Sequence, residues 1–198
     1  MEHVNKQTLV FLGPQGSGKG TQIQLLKEYI TSKDSRSIVH FEMGKSLREL
    51  ATRDDFTGKK ADAILKGGGL IPYAISCSVF TQYLMNNMKG EEHLIVDGFP
   101  RTADQVPALD SAFEYFEAKP VTVVCINISD EEAITRLLKR GRSDDTEEGI
   151  RKRLQWSREQ TMPNIAWFRS QPSYKVLDIE GERTVEEIQK DIIAQLGI

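Results

Sequence analysis

Gly13-Pro14-Gln15-Gly16-Ser17-Gly18-Lys19-Gly20-Thr21 follows the apolar run Leu9-Val10-Phe11-Leu12 and precedes apolar residues at helical spacing, Ile23, Leu26 and Ile30. A glycine-rich loop between a buried strand and a helix is where a phosphate-binding loop is found. The glycines let successive backbone N–H groups turn toward one anion, and the start of the helix adds partial positive charge. A plain helix-capping turn has no use for a lysine at this spacing. The stretch therefore predicts a site for phosphate groups.

The loop departs from its commonest form at one position. A Ser or Thr usually follows the lysine directly and binds the metal ion of the nucleotide, but here Gly20 intervenes before Thr21. We therefore expect Thr21 to contact phosphate rather than to ligate a metal ion.

Four further apolar runs have the length of buried strands. They are residues 37–41, 93–97, 121–127 and 174–179. Helical patterns separate the runs, and this alternation predicts a five-stranded parallel sheet that is covered by helices on both faces. The predicted fold class is α/β, a three-layer α/β/α sandwich formed by a single domain over residues 1–198.

Signals for helix starts support the alternation. Ser129-x-x-Glu132 and Thr184-x-x-Glu187 have the spacing of capping boxes, and Pro72 suits the first turn of a helix. The connection between the second and third strands is unusually long and holds three helical patterns, two of them separated by Gly67-Gly68-Gly69. We interpret residues 43–72 as a helical excursion that can move against the sheet.

The composition is typical of a globular protein. Of 198 residues, 39% are hydrophobic and 28% charged, and the formal net charge is -3. An acidic surface favours neither general nucleic-acid binding nor binding to an anionic membrane. No apolar run approaches the ~20 residues that span a bilayer, and no signal peptide is evident, so we expect a cytoplasmic protein. Cys77 and Cys125 lie in apolar stretches without a partner at metal-ligand spacing, which predicts two core residues.

A second candidate site is Asp97-Gly98-Phe99-Pro100-Arg101, which follows the third strand. Its carboxylate is expected at the C-terminal edge of the sheet, beside the phosphate loop. A carboxylate there can order the water shell of a phosphate-bound Mg²⁺. The alternative is a turn that merely uses Asp and Gly. Because a phosphate loop lies upstream, we favour a role for Asp97 in binding a magnesium ion through water.

Basic residues recur in the C-terminal third, at Arg136, Lys139, Arg140, Arg142, Arg151, Lys152 and Arg153. Like charges four residues apart on a helix, such as Arg136 and Arg140, repel by roughly 0.2–0.5 kcal/mol, and a bound anion would reverse that sign. The alternative is a solvated basic face near a helix C-terminus, which we prefer for Lys139, Arg151 and Lys152. Arg153 lies at the border of an apolar stripe, so it can point inward.

Three motifs carry a resemblance to a known family. They are GPQGSGKGTQ at 13–22, DGFPRT at 97–102 with a glutamine four residues beyond its arginine, and RLLKRGRSDD at 136–145 followed by IRKRL at 150–154. Together they resemble the adenylate kinase family of nucleoside monophosphate kinases, from the first strand nearly to the C-terminus. Members transfer a phosphoryl group from Mg-ATP to AMP with a core, an AMP-binding helical excursion and a lid over ATP. The resemblance implies that residues 43–72 are the excursion and residues 140–146 a minimal lid.

The resemblance implies an ATP site on the glycine-rich loop and on later arginines. The phosphates would lie along the loop, where Lys19 bridges the donor and the transferred group. Arg136 and Arg140 match arginines on the ATP side, and the backbone at Arg183 matches a segment that touches the adenine. The implied ATP-binding residues are Gly16, Ser17, Gly18, Lys19, Gly20, Thr21, Arg136, Arg140 and Arg183.

The resemblance also implies an AMP site. Arg48 and Arg101 match the arginines that hold the AMP phosphate, and Arg142 and Arg153 match those that close on the phosphates. The backbone of residues 69–71 would run along the adenosine. The implied AMP-binding residues are Met43, Gly44, Arg48, Gly69, Leu70, Ile71, Gly98, Phe99, Pro100, Arg101, Gln105, Arg142 and Arg153. The implied catalytic residues are Lys19, Arg101, Arg140, Arg142 and Arg153.

Gln105 matches the glutamine that pairs with the AMP base, where pyrimidine-specific relatives usually carry asparagine. Thr102-x-x-Gln105 also fits a capping box, so the amide has the alternative role of capping the following helix. We favour base recognition because a side-chain amide offers the donor and the acceptor that the edge of adenine requires.

The expected chemistry needs no nucleophilic side chain. The second pKa of a phosphate monoester is about 6, so the attacking AMP phosphate is already largely ionised at neutral pH. Two anionic groups must be held in line against their repulsion, which is the expected task of Lys19, the arginines and Mg²⁺.

The predicted lid is short, because only residues 141–143 separate Arg140 from Asp144. Such a lid is too short for the zinc-binding cysteines of long lids, so no zinc is expected.

The stretch Glu42-Met43-Gly44-Lys45 departs from the Ser-Thr-Gly-Asp that relatives commonly have. Met43 replaces a hydroxyl expected near the base, and Lys45 reverses a charge.

From the motifs and the resemblance, the sequence is interpreted as a monomeric, Mg-dependent adenylate kinase acting on ATP and AMP. A UMP/CMP-type or broad-specificity monophosphate kinase is one alternative, and a non-catalytic nucleotide-binding regulator is another. The acceptor-side arginines argue against the regulator, because a protein that only binds ATP does not need them.

Overall fold

A computed structural model describes residues 4–141 and 145–198 of the chain. Its strands are β1 (Thr8–Leu12), β2 (Ile38–Glu42), β3 (His93–Asp97), β4 (Val121–Asn127) and β5 (Tyr174–Glu180). They pair in parallel in the order β2-β3-β1-β4-β5. The central strand β1 is buried along its whole length, as its apolar run predicts.

Helices connect the strands and lie on both faces of the sheet. They are α1 (Lys19–Lys33), α2 (Met43–Ala51), α3 (Phe56–Lys66), α4 (Tyr73–Asn87), α5 (Val106–Tyr115), α6 (Asp130–Arg140), α7 (Glu147–Trp156), α8 (Asn164–Ser170) and α9 (Val185–Leu196). A 3₁₀ turn (Ala103–Gln105) precedes α5, and a π-helical turn (Ser157–Thr161) follows α7. The three helical patterns predicted between the second and third strands correspond to α2, α3 and α4.

The side chains of β1 alternate between two apolar cores, because successive residues of a strand point to opposite faces. Val10 and Leu12 pack with α2, α4, α5 and α8. Leu9 and Phe11 pack on the other face with α1 and α9. Burying each of these large apolar side chains contributes about 1.5–3 kcal/mol. The predicted three-layer α/β/α arrangement is confirmed.

Two strands extend beyond their predicted ends. The second strand is residues 38–42 rather than 37–41, because the backbone ladder continues past the apolar run and brings Glu42 opposite Asp97. The fifth strand includes Glu180, which lies opposite Asn127 of β4. Apolar residues mark the buried part of a strand, whereas pairing with a neighbour decides where it ends. The first of these shifts places a carboxylate at the edge of the sheet.

The helix starts follow the predicted caps, with two differences. Thr184 and Glu187 form a complete capping box at α9. Ser129 accepts a hydrogen bond from the backbone N–H of Glu132, but its own N–H donates to Glu182, so only half of that box forms. Pro72 stands immediately before α4, at the capping position rather than inside the first turn.

The two cysteines differ in burial. Cys125 is fully buried in the core, whereas Cys77 is partly exposed and packs at its edge. None of the helices in the described parts of the chain combines the length and the hydropathy that crossing a bilayer requires.

Candidate active site

The glycine-rich loop joins β1 to α1 at the C-terminal edge of the sheet. Gly13 has φ +135° and Gly18 has φ +89°, values that residues other than glycine rarely adopt. A Cβ on Gly13 would lie 2.3 Å from the carbonyl oxygen of Ile126, so the loop passes tightly over the end of β4. Gly18 caps α1 directly. The loop thus ends at a helix N-terminus, which is the arrangement that binds phosphate.

Lys19 folds back over this loop. Its Nζ donates to the carbonyl oxygens of Gly13 at 2.9 Å and Pro14 at 2.8 Å, and it lies 3.3 Å from the Oγ of the buried Ser17. Burial lowers the pKa of Lys19, and the negative charge of Asp97 opposes that shift. Gly20 and Thr21 follow on the exposed side of the first helical turn. The ammonium group is therefore held at the mouth of the loop.

Asp97 ends β3, next to Phe11 of the central strand. Burial raises the pKa of its carboxyl group, the nearby Lys19 opposes this, and Glu42 adds to it. Arg101 is fixed a few residues later by hydrogen bonds from its Nε to the carbonyl of Gly98 at 3.0 Å and from its backbone N–H to Gln105. Burial lowers the pKa of Arg101 to about 10, so its guanidinium stays charged at neutral pH.

A third cation reaches the same place from α2. A Cβ on Gly44 would lie 3.1 Å from the Nη1 of Arg48 and 3.8 Å from the Nη2 of Arg101. The two guanidinium groups, which are far apart in the sequence, therefore converge over one glycine. Arg48 also donates through Nη2 to the Oε1 of Glu42 at 3.1 Å.

Arg136 connects the glycine-rich loop to the chain after β5. Its Nη2 donates to the carbonyl of Gly181 at 2.9 Å, its Nε donates to Glu132 at 2.6 Å, and a Cβ on Gly18 would lie 3.9 Å from its Nη1. The side chain of Arg183 turns away to Asp191, with 2.6 Å between Nη2 and Oδ2. Of the two, only Arg136 therefore directs its side chain to the loop.

Asp145 gathers two of the predicted arginines. Its fully buried carboxylate accepts two hydrogen bonds from Arg140, each 2.9 Å, and one from Arg153 at 2.7 Å. Arg153 is buried, as its position at the border of the apolar stripe predicts. Asp145 was not among the predicted site residues, although an acidic residue between two such arginines is a signal that the sequence contains. Arg142 lies outside the described residues.

Gln105 is buried, and its Oε1 accepts the backbone N–H of Arg101 at 2.7 Å. The hydrogen bond comes from Arg101 rather than from Thr102, and neither the 3₁₀ turn nor α5 has a side-chain cap, so the predicted capping box does not form. Met43, predicted near the base, has a fully buried side chain in the core on the α2 side of the sheet. It offers no surface to a ligand there, because the first residue of α2 faces the sheet.

The remaining acceptor-side residues lie next to Arg101 and in the segment after α3. Gly98 has φ +70° beside Arg101, Phe99 is fully buried, and the Phe99–Pro100 peptide is cis. The segment 69–71 follows α3; Gly69 donates to the carbonyl of Ile64 at 2.9 Å, and the side chain of Ile71 is buried. Leu70 between them is half-buried.

Two contacts that the sequence did not predict link the end of α3 to α7. Trp156 donates through Nε1 to the carbonyl of Gly68 at 3.3 Å, and Lys152 donates through Nζ to that of Gly67 at 3.0 Å. Lys152 is exposed, as predicted, but it is also a contact between two segments.

The fold and the site define a class of protein. A glycine-rich loop at a helix N-terminus, with a lysine at its mouth, a carboxylate at the adjacent strand end and converging arginines, is the equipment of a P-loop phosphotransferase.

Comparison with known proteins narrows this class. The family model described as adenylate kinase matches residues 11–173. An adenylate kinase of Prochlorococcus marinus is 36% identical over 193 residues, covering 98% of each chain. The adenylate kinase of Thermus thermophilus is 34% identical over 196 residues, covering 97% of this chain and 98% of its own. Adenylate kinase 1 of a Nostoc species is 34% identical over 189 residues, covering 96% of this chain and 98% of its own.

This chain belongs to the adenylate kinase family. The reaction of that family converts ATP and AMP into two molecules of ADP.

Proposed function

We propose that this protein transfers the terminal phosphoryl group of Mg-ATP to AMP in a cleft between the glycine-rich loop and α2. The observation that carries the proposal is the convergence of Arg48 and Arg101 over Gly44, at the start of α2. A protein that only binds or hydrolyses ATP has no need of this additional pair of guanidinium groups away from the ATP site. Two cationic side chains at one point suit a phosphate monoester dianion.

The donor side is supplied by the loop and by Arg136. Backbone N–H groups of residues 16–21 would hold the phosphates at the start of α1. Lys19 would exchange its contacts with the loop carbonyls for contacts with phosphate oxygens, because an anion is a better partner for an ammonium than a neutral carbonyl. Arg136 would add charge beside Gly18, and the adenine would lie along the backbone near Arg183.

The acceptor side is supplied by residues that follow β2 and β3. Arg48 and Arg101 would hold the AMP phosphate, and the segment 69–71 would run along the adenosine. Because the Oε1 of Gln105 is already engaged by Arg101, its Nε2 donor remains for a base. A donor at that point suits the N1 acceptor of adenine and disfavours guanine, whose N1 carries a proton. We also propose residues 43–72 as the part that moves when the acceptor binds.

Transfer then needs geometry and charge rather than a general base. The acceptor phosphate is ionised at neutral pH, so no proton must be removed from it. Lys19 and Arg101 would face the two reacting groups, and Arg140 and Arg153, held together by Asp145, would carry charge toward the transferred group. Arg142 would complete this set.

The residues present fit a magnesium ion that arrives with ATP. Mg²⁺ typically binds through one or two carboxylates, substrate phosphates and several waters. Asp97 provides one partly exposed carboxylate beside the loop, which is the donor set that such an ion needs. The metal would neutralise charge on the phosphates. The cytoplasmic location and the monomeric state stay predictions from the sequence.

An acceptor screen tests the proposal. ADP formation is measured with ATP and, in turn, AMP, CMP, UMP and GMP, and the expected result is turnover with AMP far above the other three. Comparable turnover with CMP or UMP would favour the broad-specificity alternative. ATP binding without turnover of any acceptor would favour the regulator and overturn the proposal.

A further inference from the structure

Glu42 stands where two strand ends bring carboxylates side by side. It is the last residue of β2 and lies in register with Asp97, the last residue of β3. Both therefore reach the C-terminal edge of the sheet, at the cleft described above. Asp97 has an evident partner there in Lys19. Glu42 has no role in the site proposed above.

Glu42 is paired with the acceptor-side arginine of α2. Its Oε1 accepts from the Nη2 of Arg48 at 3.1 Å, while the Nη1 of Arg48 lies on the side of Gly44 and Arg101. The side chains of Glu42 and Arg48 are 35% and 47% exposed. The pair is therefore at the open edge of the cleft and within reach of an incoming ligand.

From this geometry we propose that Glu42 sets the affinity of the acceptor site for phosphate groups, as an internal counter-anion on Arg48 that weakens the binding of every phosphate group there. The inference rests on the proposed acceptor role of Arg48 and Arg101. A phosphate dianion that binds the Nη1 of Arg48 and the guanidinium of Arg101 would lie close to the negative charge of Glu42, which repels it. Binding of the acceptor phosphate is thus weaker than Arg48 and Arg101 alone would make it.

The consequence concerns which anions occupy the site. Free inorganic phosphate has no base or ribose with which to offset the repulsion, so Glu42 keeps its affinity low. AMP retains its contacts with the nucleoside and still binds. The side chain thereby limits occupation of the acceptor site by small anions at the expense of some affinity for AMP.

The matched variants are Glu42→Gln, which keeps an oxygen acceptor for Arg48 but removes the charge, and Glu42→Asp, which keeps the charge. Glu49→Gln is the control, because Glu49 lies on α2, as Arg48 does, in an exposed pair with Lys45 at 3.9 Å. It makes the same change in net charge away from the cleft.

The experiment measures the KM for AMP and the inhibition constants of inorganic phosphate and of adenosine, each in competition with AMP. In Glu42→Gln, the KM for AMP and the inhibition constant of inorganic phosphate are expected to fall together by roughly three- to ten-fold. The constant for adenosine, which has no phosphate, should stay unchanged, as should the KM for ATP. Glu42→Asp, which keeps the charge, should show a smaller fall than Glu42→Gln, and Glu49→Gln should behave as the unmodified protein.

Three outcomes would overturn the inference. One is an unchanged KM for AMP in Glu42→Gln. Another is a higher KM, which would make Glu42 a residue that positions Arg48. The third is a fall in the KM for AMP without a parallel fall in the inhibition constant of inorganic phosphate. Failure of the proposed function is distinguishable, because it would appear as absent AMP turnover in the unmodified protein.

Discussion

The guanidinium of Arg101 lies over the indole ring of Trp156, with 5.7 Å between its Cζ and the ring centroid. The same indole donates through Nε1 to the carbonyl of Gly68. One side chain at the end of α7 thus touches both an acceptor-side arginine and the glycine segment that follows α3. A cation over an aromatic face is stabilised by about 0.5–2 kcal/mol, depending on how far it is desolvated. From this contact we expect Trp156 to position Arg101.

This relationship predicts a graded effect on the acceptor. Trp156→Leu removes the ring and the donor, so the KM for AMP should rise by roughly three- to thirty-fold. Trp156→Phe keeps a ring under Arg101 and loses only the donor, so its KM should be intermediate. Steady-state kinetics with AMP varied at saturating ATP provide the measurement. Equal KM values in the two variants and the unmodified protein would show that Arg101 does not need this support.

Arg101 itself should decide turnover of AMP but not binding of ATP. Arg101→Ala removes a buried charge from the acceptor side, and removing one preorganised charge typically costs about 10²–10³ in rate. ATP affinity, measured by calorimetry, should remain because the glycine-rich loop is intact. Arg151→Ala is the matched control, since Arg151 is exposed and paired with Glu147 one turn away. Unchanged turnover in Arg101→Ala would show that the acceptor has been placed wrongly.

Lys19 lies at the mouth of the glycine-rich loop, and Lys19→Met should lower kcat by about 10²–10³ while preserving the fold. The reason is that the methionine keeps the length of the side chain and loses the charge that faces the phosphates. Circular dichroism checks the fold and a coupled assay checks the rate. Lys139→Met, on the exposed end of α6, controls for the loss of one positive charge. A loss of similar size in both variants would point to a general electrostatic effect.

The sheet and the glycine-rich loop were predictable because each leaves a local pattern. Apolar runs of strand length separated by helical patterns require a parallel sheet, and a loop with Lys19 between strand and helix identifies its own place at the edge of that sheet. These signals depend on spacing within a few residues. The structure confirms them apart from single-residue shifts such as the extension of β2 to Glu42.

The missed features depend on contacts between distant segments. Nothing in the sequence around Trp156 shows that its ring lies against Arg101, and nothing around Glu42 shows that its carboxylate faces Arg48 rather than solvent. Met43 illustrates the same limit from the other side. Its place in the motif predicted a position near the base, but the direction of a side chain at the first residue of a helix is set by which face packs on the sheet. That face became visible only with the fold.

Gly13 should be intolerant of any side chain for a steric reason. In Gly13→Ala the new Cβ would meet the carbonyl oxygen of Ile126 at 2.3 Å, and the φ of +135° adds strain. Strained backbone of this kind costs about 1–3 kcal/mol, and the clash adds to that cost. Gly20→Ala is the contrast, because its Cβ position has no described atom within 4 Å apart from its chain neighbours and its own helical turn, and it stands in α1. Chemical denaturation should show a loss of stability in the first variant and a gain of about 0.5–1 kcal/mol in the second. Equal stabilities would contradict the steric argument.

His93 begins β3 at the opposite edge of the sheet with a fully buried side chain. Its Nδ1 accepts the backbone N–H of Gln7 at 3.0 Å, and its Nε2 faces the carboxylate of Asp34 at 3.3 Å, with Arg36 and Lys6 as the other nearby charges. Burial lowers the pKa of His93, although Asp34 opposes the shift. Folding therefore favours the neutral imidazole.

The stability of the protein should accordingly fall on acidification. The contribution of His93 is complete above the unfolded-state pKa of about 6.5 and is lost as the pH falls through the lower pKa of the folded state, because the unfolded chain then binds more protons. Urea unfolding at about pH 7.5 and about pH 5.5 should show this loss, and His93→Gln should reduce it, since an amide can accept from Gln7 without titrating. Some pH dependence should remain in the variant, because burial also lowers the pKa of His40. An identical loss of stability in the two proteins would show that His93 does not titrate in this range.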